Sequence, residues 1–238
     1  MRELNSMDLD NCVRRLPKQL RTLLREQGNR LFVAGGFIRA VIAGEQVSDI
    51  DVMSANKECA DASADLLAEA MDKPSVHESD NAYTLRVRPV PIQFIHRWTF
   101  ATPEDGIASF DFTIAKAAIW YERKPGVYPD MGDWHSICAD TYYDDLAAKR
   151  LVYTSPVRIE EAGGSLLRVL KFYQRGYRIP LSSLSAVIAR LVKSLEFDVP
   201  VHELPECRTS EIIVGLLRDV DPRTPIDEDT EAQEDANG

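Results

Sequence analysis

The stretch VAGGFIRAVIAGEQVSDIDV, from Val33 to Val52, constrains the fold more than any other part of the chain. The apolar run Leu31-Phe32-Val33-Ala34 reads as a short strand, and Gly35-Gly36 breaks it. Phe37 to Ala43 reads as a short helix stopped by Gly44, and Ile50 to Met53 as a second strand. Residues i and i+2 of a strand project from one face, so Asp49 and Asp51 set two like charges side by side, with Ile50 and Val52 opposite. Repulsion and desolvation oppose that arrangement unless a cation sits between the carboxylates. Such an oxygen-rich pair suits Mg²⁺, which takes one or two carboxylates together with substrate phosphates. Two ions about 3.5–4 Å apart can clamp both the attacking and the leaving oxygen of a phosphoryl or nucleotidyl transfer. At the other end of the stretch, the Gly35-Gly36 turn lets backbone N–H groups approach a phosphate. The helix behind it points its positive end the same way, and Arg39 lies one turn in. A lone pair of aspartates is more often a surface loop or a helix cap, and a strand–Gly-Gly–helix is more often a plain tight turn. Their conjunction, in this order within one short stretch, carries the functional reading.

Around this stretch the chain reads as an α+β front followed by an all-helical rear. Asp8 to Gln27 has Leu16, Leu20, Leu23 and Leu24 at helical spacing and Gly28 as a stop. Glu58 to Met71 is helical, with Leu66 and Leu67 expected to face inward. Ala82 to Val87 and Pro91 to Ile95 alternate like strands, and Phe110 to Trp120 is apolar and β-rich at its start. Pro103 to Ala108 is a short turn or helix, Lys124 to Asp133 a loop or hairpin, and Tyr143 to Arg150 a short helix. Beyond Ser155, helices are expected at Gly164–Arg175, at Ser182–Leu195 with a start at Ser182 or Ser183, and at Glu211–Val220. The expected division is 1–154 as the head, 155–220 as a small helical domain, and 221–238 as a disordered tail.

Charge sharpens that division. The net charge is −10, of which the segment from Asp221 to Gly238 alone carries seven acids against one base, Arg223. With two prolines and almost no large apolar residues, this tail is expected to be disordered. Lys149 to Arg178 holds seven bases against two acids, Glu160 and Glu161. An acidic chain is not a general nucleic-acid binder, though a local basic face can hold a phosphate-bearing partner. No run approaches 18 apolar residues, and the start is polar, so neither a membrane span nor a signal peptide is expected. Cys12, Cys59, Cys138 and Cys207 are far apart and form no CxxC pair, which favours reduced, mostly buried thiols and a cytoplasmic protein.

The order strand, GG, xxR, short helix, DIDV resembles the motif of the nucleotidyltransferase superfamily that includes DNA polymerase beta. The closer resemblance is to the head domain of class II CCA-adding enzymes and bacterial poly(A) polymerases. Phe110-Asp111-Phe112-Thr113-Ile114 with Ala117 is similar to that family's RRDFTINAL segment. Asp145-Leu146, then Glu161 and LLRVLKFYQRGYRI (Leu166 to Ile179), are similar to its DL and EDPLRLLRALRFAARLGF stretches. The similarity covers roughly residues 30 to 180. It implies a nucleotidyltransferase head, a small mixed sheet with helices, followed by a short helical domain. It also implies a Mg²⁺-dependent enzyme moving a nucleoside monophosphate from a nucleoside triphosphate such as ATP to an acceptor hydroxyl, most naturally an RNA or tRNA-like 3′ end.

On that resemblance Asp49, Asp51 and Asp111 are the catalytic acids, and Asp49 and Asp51 hold the metal. Gly35, Gly36, Arg39, Arg168 and Lys171 meet the nucleotide. Asp111 would be a third ligand, a general base or a ribose contact; the plainer alternative is a structural acid. Arg168, Lys171 and Arg175 share one helix face, and the plainer alternative there is a solvated outer stripe. Gln93 is expected near the site. His96 fits a satisfied surface or core histidine better than a base, and Trp98, Trp120 and Trp134 fit the core better than stacking on a base. The chain also departs from the family. Ser109 and Phe110 replace the two arginines of RRD, Ala40 replaces the acid of GGxxRD, and Glu161-Ala162-Gly163-Gly164-Ser165 keeps only the glutamate of EDxxR. Base selection of the CCA type is therefore not expected. A protein or small-molecule acceptor, or a non-catalytic nucleotide-binding regulator, stand as alternatives.

Overall fold

Pro17 divides the expected N-terminal helix. In the computed structural model, which describes residues 1–124, 131–156, 162–194 and 210, Asp8–Gln27 is two helices rather than one: α1 (Ser6–Arg15) and α2 (Lys18–Gln27). Proline pushes the residue before it out of the helical region, and Leu16 is extended there with φ −67° and ψ 140°. Gly28 closes α2 with φ 62°. The following elements are β1 (Leu31–Ala34), α3 (Gly36–Ala43), β2 (Ile50–Ser54) and α4 (Lys57–Ala70), then β3 (Val76–Glu78), β4 (Ala82–Leu85) and β5 (Ile92–Ile95). After these come α5 (Pro103–Ala108), β6 (Ala117–Arg123), β7 (Gly132–Cys138) and α6 (Tyr142–Ala147), and finally α7 (Ala162–Gln174) and α8 (Leu181–Ser194). The expected helix at Glu211–Val220 and the acidic tail lie outside the described residues.

The seven strands form one mixed sheet in the order β3-β4-β5-β2-β1-β6-β7. Only β2 and β5 run parallel, with Ile50 opposite Ile92, Asp51 opposite Gln93 and Val52 opposite Phe94; every other pairing is antiparallel. Contacts within the chain gather into two units, Met1–Pro156 and Val157–Gly238. The first carries the sheet; the second carries α7 and α8, which pack on each other.

The two faces of the sheet are covered differently. Ile50, Val52, Ile92 and Phe94, all completely buried, face one side, where α2, α3 and α4 lie. The other side holds Phe32, Ala34, Met53, Ala118 and Trp120, closed over by Ile107 of α5. That helix lies so close that a Cβ on Gly106 would stand 2.6 Å from the Phe32 ring. Trp120 thus belongs to the core, in line with the reading that favoured it. Leu66 does not: the sequence expectation put it inside with Leu67, yet it is 49% exposed while Leu67 is buried. Neighbouring positions on a helix differ by 100°, so only one of the two can face the sheet squarely.

A third correction concerns the start of the Phe110–Trp120 segment, expected to be β-rich. The strand begins at Ala117. Before it, Thr113–Ala115 is a 3-10 turn, and the backbone bonds go elsewhere: the N–H of Thr113 donates to Val152, and that of Thr154 to Asp111. The start of the segment therefore makes one antiparallel bridge, Phe112 with Tyr153, in place of a full strand.

Candidate active site

The site is assembled at one end of the central strands. Gly35 follows β1 with φ 76° and ψ −123°, a conformation that L side chains rarely adopt. Its N–H donates to Ala117 at 2.9 Å, tying the turn to the first residue of β6. Gly36 begins α3, and a Cβ placed on it would meet nothing within 4 Å. The turn is thus open on the side where a backbone cradle would receive an anion, with the N-terminus of α3 behind it.

Asp51 lies on β2, half-buried, on the face opposite Ile50 and Val52. Asp49 stands immediately before the strand, and the ladder already starts beside it, since the N–H of Ile50 donates to Pro91 at 3.0 Å. Asp49 accepts a hydrogen bond from the Ser48 hydroxyl at 2.9 Å. The spacing of two along an extended backbone sets both carboxylates toward one side. The donor set fits Mg²⁺: two partly solvated carboxylates leave room for water and phosphate oxygens in an octahedral shell. Among the described residues no group of three or more His, Cys, Asp and Glu side chains gathers as a metal cluster. The residue paired with Asp51 across the parallel ladder, on the same face, is Gln93. It offers a neutral amide where a further acid would have raised the local charge.

Asp111 is buried, at 5% exposure, between Phe110 and Phe112. The Phe110 ring lies against Gly35, 3.6 Å from where a Cβ would be. Asp111 therefore belongs to the segment that borders the Gly-Gly turn. Lys116 borders it too, and sequence reasoning passed over this residue. It is half-buried. Desolvation pulls its ammonium below the ordinary lysine pKa, while the nearby Asp111 charge pushes it back up. The signal for it was present: Lys116 is the single base between Asp111 and Glu122.

Arg39 occupies a different place from the phosphate contact expected of it. Its side chain is 4% exposed, and it is engaged in an ion pair with Glu45, just after the Gly44 turn. Arg39 thereby ties α3 to the loop that leads to Asp49. Arg168 and Lys171 lie on α7 of the second unit, Arg168 half-buried and Lys171 exposed; they are not part of the unit that carries the turn and the carboxylates. His96 lies outside the site as well. Its Nε2 is 3.0 Å from the Ser79 carbonyl oxygen, and its ring packs on Tyr83.

Behind Asp111 sits a fully buried carboxylate, Asp145. It accepts from the hydroxyls of Thr113 and Thr141, each at 2.7 Å, and from Arg150 through Nε at 2.8 Å and Nη2 at 2.6 Å. This cluster anchors the 3-10 turn that follows Asp111 to α6.

These features, a mixed sheet with a Gly-Gly turn after its first strand and a carboxylate pair at the head of the next, give the chain the fold of a nucleotidyltransferase head. Solved structures share the fold. The chain resembles the Thermotoga maritima CCA-adding enzyme complexed with tRNA at a TM-score of 0.51 and 20% identity, covering 94% of this chain and 57% of that one. A CCA-adding enzyme complexed with ATP gives 0.54 and 20% identity, with 94% and 58% covered. A tRNA-processing enzyme with CTP gives 0.52 and 21% identity, with 84% and 53% covered. The chain thus spans a little over half the length of these proteins. No curated protein matches it in sequence. Residues 6–149 match the Gabija anti-defense 2 family, and the chain belongs to that family.

Proposed function

We propose that this protein is a Mg²⁺-dependent nucleotidyltransferase that moves a nucleoside monophosphate from a nucleoside triphosphate to an acceptor hydroxyl. The observation that carries the reading is the placement of Asp49 and Asp51 at the head of β2, beside the open Gly35-Gly36 turn that starts α3. Asp49 and Asp51 hold the metal. Mg²⁺ held there would neutralise phosphate charge and lower the pKa of an acceptor hydroxyl. Gly35 shapes the turn, and the amide of Gly36 with the first turn of α3 takes the phosphates. Arg39 positions the Asp49 loop through Glu45. The acceptor oxygen bonds to the α-phosphorus, and the bond from that phosphorus to the bridging oxygen breaks. Pyrophosphate leaves, and the hydroxyl proton passes to a site carboxylate or to solvent. Asp111 acts as a general base or a ribose contact. In this reading 155–220 is a helical domain that contributes Arg168 and Lys171 to the nucleotide.

An RNA 3′ end is the acceptor we place first, supported by neighbours solved with tRNA, ATP and CTP. The family description adds a setting: the transfer acts against the defence its name gives, Gabija. Transfer to a protein or small-molecule hydroxyl is the second reading. It is favoured by the chain spanning only about half of the tRNA-handling enzymes. The test incubates the purified protein with each α-labelled triphosphate, Mg²⁺ and total cellular RNA, beside an Asp49→Ala/Asp51→Ala control. Label in RNA that vanishes in the control supports the first reading, and label on protein supports the second. No label with measurable triphosphate binding overturns transfer in favour of a non-catalytic binding protein.

A further inference from the structure

The first unit presents an acidic site with few cations to meet a triphosphate. Asp49, Asp51 and Asp111 all border it, Ser109 and Phe110 stand where the resembled family has two arginines, and the Arg39 side chain is taken up by Glu45. Among the described residues, Lys116 is a cation whose chain neighbours lie against the turn. Lys116 lies between the segment carrying Asp111 and the start of β6, and the carbonyls of its two chain neighbours face Gly35. The Ala115 carbonyl oxygen is 3.9 Å from a Cβ built on Gly35, and the Ala117 carbonyl accepts the Gly35 N–H at 2.9 Å. Its Nζ donates to the Ala108 carbonyl at 3.2 Å, at the last residue of α5. An ammonium has three donors, so two are left without a partner among the described residues.

A lysine closing a helix C-terminus is a common surface arrangement, worth a few tenths of a kcal/mol to about 1 kcal/mol. It gains nothing from being half-buried beside a buried carboxylate, where desolvation works against the charge. A site that must receive an anion gains from both, because the ammonium is held by Ala108 and sits in a less watery setting.

We propose that Lys116 is a nucleotide-contacting residue whose ammonium meets the triphosphate held at the Gly35-Gly36 turn, supplying from the start of β6 the positive charge that positions 109 and 110 lack. This deepens the nucleotidyl-transfer reading and rests on it. The chemistry recognised is a polyphosphate, not a base or a sugar.

The experiment measures calorimetric binding of ATP, CTP, GTP and UTP, and of the matching nucleosides, with Ca²⁺ replacing Mg²⁺ to hold back turnover. It compares the full chain with Lys116→Gln and Lys116→Arg. Glutamine keeps a donor for Ala108 without the charge; arginine keeps the charge. The expected result is that Lys116→Gln weakens binding of the preferred triphosphate by about tenfold or more. Lys116→Arg should stay within about threefold, and nucleoside binding should change less than twofold in both. Triphosphate binding unchanged in Lys116→Gln, or triphosphate and nucleoside binding lost together, overturns the proposal while leaving nucleotidyl transfer standing. No triphosphate binding by the unaltered protein overturns both.

Discussion

Replacing Asp145 with alanine tests how the site is held in place. This carboxylate is fully buried and accepts four hydrogen bonds, from Thr113, Thr141 and twice from Arg150. Removing one partner of a wholly buried ion pair costs roughly 3–5 kcal/mol. Arg150 is 47% exposed, however, and water can take over its guanidinium. That lowers the pair's share to about 1–2 kcal/mol. Thr113 is buried, and its hydroxyl would lose its acceptor, adding roughly 1–2 kcal/mol. The expected cost of Asp145→Ala is therefore about 2–4 kcal/mol, or a fall in Tm of roughly 5–15 °C for a chain of this size. Asp145→Asn keeps the shape and one acceptor oxygen, and should fall in between. The assay is thermal unfolding followed by circular dichroism, together with Arg150→Ala and the double variant. The double variant should be less destabilised than the sum of the two singles, because each removes the same pair. A change in Tm below about 2 °C for Asp145→Ala would refute the view that this cluster anchors the segment after Asp111.

Asp49→Asn/Asp51→Asn relieves like-charge repulsion, so the double variant should melt at the original temperature or slightly above, while the Mg²⁺-induced rise in Tm of the unaltered protein disappears; a rise retained in the variant would place the metal elsewhere. Gly36→Ala should leave Tm within about 2 °C, because a Cβ there meets open space, yet weaken triphosphate binding, whereas Gly35→Ala should cost about 1–2 kcal/mol from its φ of 76° alone; equal effects in melting would contradict the turn described. Gly106→Ala should cost roughly 1–3 kcal/mol in urea unfolding through the clash with Phe32, and a neutral result would mean that α5 can move away. Burial pushes the Cys12 thiol from 9.0 up to about 12 and the Cys138 thiol up to about 11. Over that range the folded chain keeps protons that the unfolded chain has lost, so stability should be full below about pH 9 and fall as pH rises toward 12; a urea midpoint equal at pH 7.5 and pH 10.5 would count against it.

The parts of the site that lie next to one another in sequence were legible in it. Gly35-Gly36, the helix to Ala43, the Gly44 stop and the carboxylate spacing are all local, and local periodicity and turn chemistry report them directly. Gln93 was placed only near the site, because its register opposite Asp51 depends on which strand pairs with β2, and α4, β3 and β4 intervene. Arg39 looked like a phosphate ligand because its reach allows one; that Glu45 claims it depends on how the chain turns after Gly44. Asp145 was visible only as half of an Asp-Leu pair, since its partners Thr113 and Arg150 are joined by the fold and not by spacing. The split at Pro17 was readable, and was lost because the leucine pattern runs on in phase across it.

The strand that carries Asp51 has three strands on either side of it. It pairs with β1 over Val52–Ser54 and with β5 over Ile50–Val52, so the amide of Val52, enclosed on both edges, should be among the slowest in the molecule to exchange with solvent. The consequence is a division of evolutionary labour. The rims of the sheet and the segments beyond it can change without displacing the carboxylates. The chemistry of the site can therefore be retuned from its borders while its centre stays fixed.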